Sequence, residues 1–414
     1  MSGFSTRAIR AAARLPDVDQ RPTAVPIYQT ATFSAPDSDE LADVLSDRIP
    51  GYAYSRIGNP TSAALAAAVA DLESAEAGFA FASGMAAIHA ALLSLVASGD
   101  RIVATRTGYG TTRSLLSGTF GRLGVEIAFV DVTDLAAVEA ALAERPTKIL
   151  YAETISNPTI VVADHRALAT LAHRYGAAYV VDNTFASPYV CRPIEHGADL
   201  VAESVTKFLA GHSDAIIGAV VGGREAIDRV RSVQTDTGAT ASPLSSFLAL
   251  RGIATLAVRL ERQSATAAQL AGWLEGRAGV DRVSHPSLRS HPQHDVAARQ
   301  LDTGGAMLAV ELSGGRAAGR AFIDALTIPE LTASLGSVHT MVTHPASTTH
   351  RQLGPEALGE AGIAPGLLRV SVGLEDVDDL IADFEGGLVA ARATGESGDR
   401  TSRPGPVPVA TPAG

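Results

Sequence analysis

Residues 178–207 read AYVVDNTFASPYVCRPIEHGADLVAESVTK, and two apolar runs within them decide the fold. Ala178 to Asp182 and Leu200 to Glu203 are short, apolar and bounded by polar residues, as buried strands are. Each ends on a carboxylate. Working outward, Phe79 to Ala82, Arg101 to Thr105, Val125 to Val130, Lys148 to Glu153 and Ile216 to Val221 repeat the pattern. Helical patterns at Met85 to Val96, Leu135 to Leu142 and His165 to Tyr175 separate most of them. This alternation predicts an α/β fold with a mostly parallel central sheet and helices on both faces. Ligands in such sheets bind beyond the carboxyl ends of the strands.

The flanking sequence divides the chain further. Residues 1–60 predict an irregular arm with Pro16, Pro22, Pro26, Pro36 and Pro50 and one extended piece, Val25 to Phe33. The α/β domain is expected over 61–250, starting with an Ala-rich helix at Ser62 to Ala75. A smaller α+β C-terminal domain is expected over 251–394. Ser245 to Leu274 reads as one long helix or two, with Arg251-Gly252 as the possible break. Ala306 to Leu312 and Leu368 to Val372 read as strands, Ala317 to Ala325 and Val377 to Ala391 as helices. Residues 395–414, rich in Pro, Gly, Ser and Thr, predict a disordered tail.

Composition narrows the function. The 414 residues are 46% apolar and 19% charged, which suits packed cores and excludes a disordered chain. A net charge of -11 argues against nucleic acid and membrane surfaces as partners. The single cysteine, Cys191, excludes an intramolecular disulfide and a CxxC site. No apolar run is long enough to span a bilayer. Met1 to Arg14 lacks a signal peptide's apolar core, although an Arg-rich, Ala-rich presequence stays open; a cytoplasmic protein is expected.

Three short segments carry chemistry. Ser204-Val205-Thr206-Lys207 places an amine just past a strand end, with hydroxyls that suit a phosphate beside it; the alternative is a surface lysine. Asp182 ends a strand, where it can pair with a protonated pyridine nitrogen or cap the following turn. Ser83-Gly84-Met85 joins a strand to an apolar helix and offers backbone N–H groups to an anion, or is an ordinary turn. Together they suggest a phosphate cradle, a ring-nitrogen partner and a Schiff-base lysine.

From about Thr6 to Leu388 the chain resembles the Cys/Met-metabolism group of fold-type-I pyridoxal phosphate (PLP) enzymes. That group includes cystathionine γ-synthase, cystathionine γ-lyase, methionine γ-lyase and the O-acylhomoserine sulfhydrylases. The matching segments are Pro26-Ile-Tyr-Gln-Thr-Ala-Thr-Phe33, Tyr54-Ser-Arg-Ile-Gly-Asn-Pro-Thr61, Ala82-Ser-Gly-Met-Ala-Ala87 and Tyr109-Gly110. Glu153 with Asn157-Pro158-Thr159, Asp182 to Phe185, Ser204 to Lys207 and Gly211-His-Ser-Asp214 follow. The last are Ser334-Leu-Gly336, Thr343 to His350 and Leu368 to Gly373.

The resemblance implies a PLP enzyme, a carbon–sulfur lyase or Cγ-transferase, with a role for each matching residue. Lys207 would hold the cofactor and shuttle protons, and Asp182 would pair with the ring nitrogen. Ser83, Gly84, Met85, Ser204 and Thr206 would hold the phosphate. Tyr54 and Arg56 would reach it from a neighbouring subunit, so a homodimer is the implied active unit, usually paired into a homotetramer. Tyr109 would stack on the ring and act as acid or base. Asn157 would sit by the 3-oxygen, and Arg369, helped by Ser334, would bind the substrate carboxylate. His339 stands where relatives carry glutamate or lysine; it either meets the distal end of the substrate or merely packs. Thr111 stands where methionine γ-lyases carry cysteine. His212 and Asp214 read as structural. His344 and His350 are six residues apart with no carboxylate beside them, so no metal is expected.

The expected reaction is γ-elimination from a sulfur-containing or O-acylated homoserine-type amino acid, releasing a 2-oxo acid and ammonia. The alternative is γ-replacement by a thiol or sulfide, of the O-acylhomoserine sulfhydrylase or cystathionine γ-synthase type, with a specialised-metabolism substrate left open. A non-catalytic relative would have lost Lys207, Asp182, Tyr109 or Arg369, and an aminotransferase would not match Tyr54 to Thr61.

Overall fold

The computed structural model describes residues 2–12, 22–349, 351 and 354–396. Its larger sheet has seven strands, in chain order β1 Ala77–Phe81, β2 Arg101–Thr105, β3 Glu126–Val130, β4 Ile149–Glu153, β5 Ala178–Asp182, β6 Leu200–Glu203 and β7 Gly218–Gly222. They lie side by side as β1-β7-β6-β5-β4-β2-β3. β6, β5, β4, β2 and β3 run parallel, while β7 is antiparallel to both β1 and β6. The predicted fold class holds.

All five residues of β2 and of β4 are buried, because helices cover both faces. Alternation sorts the side chains to two sides. Val103, Leu150, Tyr179, Val181 and Val201 join one core cluster, and Ile102, Ile149, Tyr151, Val180 and Leu200 join another. Each fully buried Leu, Ile or Phe side chain contributes roughly 1.5–3 kcal/mol. The parallel register sets Glu153 opposite Asp182, and Asp182 opposite Ala202. The acidic ends of β4 and β5 therefore finish level with one another, and Glu203 of β6 lies one residue beyond them.

A second sheet of five strands comprises β8 Val280–Ser284, β9 Met307–Leu312, β10 Glu330–Leu331, β11 Met341–Thr343 and β12 Leu367–Ser371, in the order β10-β11-β12-β9-β8. Its core includes Leu308, Val310, Leu368 and Val370, with Phe322 and Phe384 edge-on at 5.3 Å. β8, β10 and β11 were not expected. β8 is only half-buried, and β10 and β11 are too short to show a period.

Three other expectations change. The arm contains two helices, Phe4–Ala12 and Ser38–Leu45. The first packs on the helix Pro60–Leu72, with Phe4 edge-on to Tyr189 at 5.2 Å, and tertiary contact overrides its short length. The long helical stretch does break, into Pro243–Ile253 and Leu256–Leu274 bent by 62°, but not at Arg251-Gly252. Gly252 stays helical and is small for another reason: a Cβ there would lie 2.1 Å from Ala210 O. The closing helix runs on, Val377–Glu396, through the start of the expected tail. The rest of that tail, Pro16 and His350 lie outside the described residues. Among the described residues no single helix is long and apolar enough to cross a membrane.

Candidate active site

A cavity of about 540 Å³ opens at the carboxyl ends of β4, β5 and β6, against the start of the helix Gly84–Leu93. Ser83, Gly84, Met85, Tyr109, Asn157, Asp182, Ser204, Thr206, Lys207 and Arg369 line it. The fold brings these together from six separate stretches of sequence.

Lys207 sits just beyond β6. Its Nζ donates to Ser334 Oγ at 2.9 Å, so Ser334 reaches the site through the lysine. Burial, with a smaller push from the Arg369 guanidinium, lowers its pKa from 10.5 to about 8. Arg369, on β12, is 4% exposed. It donates to Asn157 Oδ1 at 3.2 Å, Ser334 O at 2.8 Å and Thr343 Oγ1 at 2.9 Å, while its Nε is buried without a partner. Desolvation brings its pKa down to about 10.

Asp182 is buried, and that burial raises its pKa, against hydrogen bonds from Thr184. Its Oδ1 accepts from Thr184 N at 3.0 Å. Thr184 Oγ1 in turn accepts from Ser204 N at 2.9 Å, which links the ends of β5 and β6. Glu153 is the neighbouring carboxyl. Burial first, then the Asp182 charge, raises its pKa to about 8. Its Oε1 accepts from Tyr109 N at 2.6 Å and its Oε2 from Asn157 N at 3.0 Å. Glu153 thus holds the backbones of two cavity residues at once. Sequence reasoning matched Glu153 but gave it no role, although a carboxylate ending a strand is the signal that singled out Asp182.

Ser83 caps the helix Gly84–Leu93, its Oγ accepting from Ala86 N at 3.1 Å. The N–H groups of the first turn face the cavity mouth, where an anion is favoured. Glycine is required at 84, because a Cβ would lie 2.6 Å from Ser204 Cβ and 2.7 Å from its Oγ. Thr206 lines the cavity, but its hydroxyl donates to Ile217 O at 3.0 Å and accepts from Ile217 N at 2.8 Å.

Besides Ser334, which touches the site only through Lys207, three expected residues do not line this cavity within one chain. Tyr54 is 41% exposed, and Arg56 lies over its ring at 5.4 Å and donates to Thr235 O. His339 is exposed. Thr111 and Ser114 do line the cavity. His344 bonds Ser347 Oγ at 2.8 Å and Pro365 O at 2.7 Å through its two ring nitrogens.

The donor set fits pyridoxal phosphate. A desolvated carboxyl suits a ring N–H, a glycine-started helix suits a phosphate, a buried amine of lowered pKa suits an aldehyde, and a half-satisfied arginine suits a carboxylate.

Comparison with known proteins agrees. Residues 5–389 match the family model for Cys/Met metabolism PLP-dependent enzymes. The chain is 42% identical over 393 residues to an L-methionine γ-lyase of Pseudomonas putida, covering 94% of this chain and 98% of the relative. It is 40% identical over 389 residues to an O-succinylhomoserine sulfhydrylase of Pseudomonas aeruginosa, covering 94% and 96%. The crystal structure of cystathionine γ-synthase from Xanthomonas oryzae pv. oryzae in complex with cystathionine superposes with a TM-score of 0.89 at 38% identity, over 95% of this chain and all of that one.

Proposed function

The chain belongs to the Cys/Met metabolism PLP-dependent enzyme family, and within it we propose that it catalyses γ-elimination on a sulfur-containing or O-acylated homoserine-type amino acid. The observation that carries this reading is the convergence of Lys207 and Arg369 on Ser334, one through its hydroxyl and the other through its carbonyl. A proton-transferring amine thereby stands beside a carboxylate-binding fork. The similarity to methionine γ-lyases supports elimination as the outcome.

Pyridoxal phosphate, when bound, supplies a sink for the electron pair left by a broken Cα–H bond. Lys207 would hold the cofactor through Nζ, and its free amine takes the Cα proton and returns it elsewhere on the substrate. With its pKa near 8, the amine exchanges protons close to neutral pH. Asp182 would hold a proton on the ring nitrogen. Arg369 binds the substrate carboxylate with its planar fork, which fixes the Cα–H bond toward Lys207. Tyr109, held at its backbone by Glu153, reaches the leaving-group side of the cavity, where its hydroxyl delivers a proton. Tyr54 and Arg56 complete the phosphate site of a neighbouring subunit, which makes a dimer the active unit.

The second reading is γ-replacement. The similarity to a sulfhydrylase and to a cystathionine γ-synthase favours it, as does Thr111 standing in place of cysteine. The deciding experiment offers the holoenzyme methionine, cystathionine, homocysteine, O-acetylhomoserine or O-succinylhomoserine, with and without sulfide or cysteine. A 2-oxo acid and ammonia formed without thiol is the expected result. A product that forms only when thiol is present would overturn elimination in favour of replacement.

A further inference from the structure

Side chains alternate across a strand, so the residues next to Asp182 and Ser204 face away from the cavity. These are Asn183 and Glu203. On the far side of the sheet they meet Glu73, the residue after the helix Pro60–Leu72. Glu73 and Glu203 are 0% and 2% exposed, each acts on the other's charge, and Glu73 Oε2 and Glu203 Oε1 are both buried without a donor. Two neighbouring carboxyl groups satisfy each other only when one carries a proton, since ionised carboxylates only accept. Asn183 Nδ2 donates to Glu73 Oε1 at 2.7 Å and to Cys191 O at 2.9 Å. Its Oδ1 accepts from Thr154 Oγ1 at 2.7 Å. Thr154 follows Glu153 as Asn183 follows Asp182. One amide therefore ties Glu73 to the residues behind both carboxyl groups of the cavity.

We propose that Glu73 and Glu203 are a positioning pair, in which one shared proton holds Asn183 and thereby sets the Asp182 carboxylate against the cofactor's ring nitrogen. This rests on the reading of Asp182 given above. The charged and titratable groups facing the pair are Asp182, Cys191, Arg192 and Glu195. Arg192 is already engaged by Glu195 at 3.1 Å and Asp302 at 2.7 Å. Burial raises Glu73 from 4.5 to about 7, and burial together with the Glu73 charge raises Glu203 well above its usual range. A raised carboxyl pKa contributes stability that is complete below the unfolded value and is lost as pH rises through the folded one. Loss of the shared proton leaves two facing carboxylates in a dry site, and their repulsion moves Asn183.

The test measures cofactor dissociation from the holoenzyme by absorbance between about pH 5.5 and 8.5, a range that spans both protonation states. The native protein should lose affinity toward alkaline pH by up to about tenfold per pH unit. Glu203→Gln supplies Glu73 with a donor that cannot ionise, so its slope should be flatter; Glu73→Gln is the reciprocal variant. The infrared difference between native protein and Glu203→Gln should contain a protonated-carboxyl band that disappears over the same range. Asp182→Asn separates the two readings. Should it weaken retention while neither glutamine variant flattens the slope and no such band titrates, the pair is overturned and the role of Asp182 stands. Unchanged retention in Asp182→Asn overturns both.

Discussion

Lys207 Nζ and Ser334 Oγ stand 2.9 Å apart although 127 positions separate them in the chain. The bond crosses from the end of β6, in the larger sheet, to the segment before β11, in the smaller one. It makes the lysine a shared element of both.

Lys207→Ala removes the only amine among the described residues that line the cavity. It should abolish the protein-bound cofactor absorbance band and turnover together, while free cofactor still binds noncovalently. A spectrophotometric titration alongside a product assay checks this, and full activity in the variant would sink the mechanism.

Arg369→Lys keeps the charge but loses the planar fork that Asn157, Ser334 and Thr343 hold in place. We expect kcat/KM to fall by on the order of 10²-fold, equivalent to about 2.7 kcal/mol, with most of the loss in KM. Steady-state kinetics on the preferred amino acid reads this out, and an unchanged KM would place the carboxylate elsewhere.

Glu153→Gln tests the pH behaviour of the site. Burial raises Glu153 from 4.5 to about 8, so the folded apoprotein binds the extra proton in that window. Its stability contribution is complete below pH 4.5 and is lost as pH rises toward 8. The glutamine variant should lose stability less steeply over that range, by up to about 1.4 kcal/mol per pH unit, seen as a flatter decline of Tm. Parallel pH–Tm curves for the two proteins would show that Glu153 does not carry the effect.

Arg56→Ala should loosen cofactor binding, and mixing it with Lys207→Ala under subunit exchange should restore a fraction of active sites. Within one chain Arg56 lines a cleft separate from the cavity that holds Lys207. Absence of complementation would count against a site built from two subunits.

Gly84→Ala would place a methyl 2.6 Å from Ser204 Cβ, closer than Cβ contacts occur. The helix start must then shift, and the cofactor should bind at least about tenfold more weakly, with a cost of about 1–3 kcal/mol to folding. Isothermal titration with the cofactor, together with chemical denaturation, measures the two effects separately.

Much of this was legible in the sequence because it rests on local pattern. Arg101 to Thr105, Ala178 to Asp182 and Leu200 to Glu203 were readable as strands because short apolar runs between polar turns have few other ways to be buried. The antiparallel direction of β7 was not readable, since Gly218–Gly222 is apolar throughout and carries no sign of its neighbours. Glu153 escaped assignment for a related reason. Its role comes from the N–H groups of Tyr109 and Asn157, one of which lies 44 residues away.

The sequence by itself carried the family, the α/β class and the strand-end segments around Lys207 and Asp182, because chemistry at a strand end requires particular residue types at particular places; Arg369, inside β12, was named from the resemblance alone. Only the tertiary structure decided how those groups are tuned. Strand register set Glu153 beside Asp182, β-alternation turned Asn183 and Glu203 away toward Glu73, and the second sheet brought Arg369 onto Ser334 and Asn157. Desolvation and hydrogen bonding depend on what surrounds a side chain in space, and neighbours drawn from distant stretches leave no local trace in the chain.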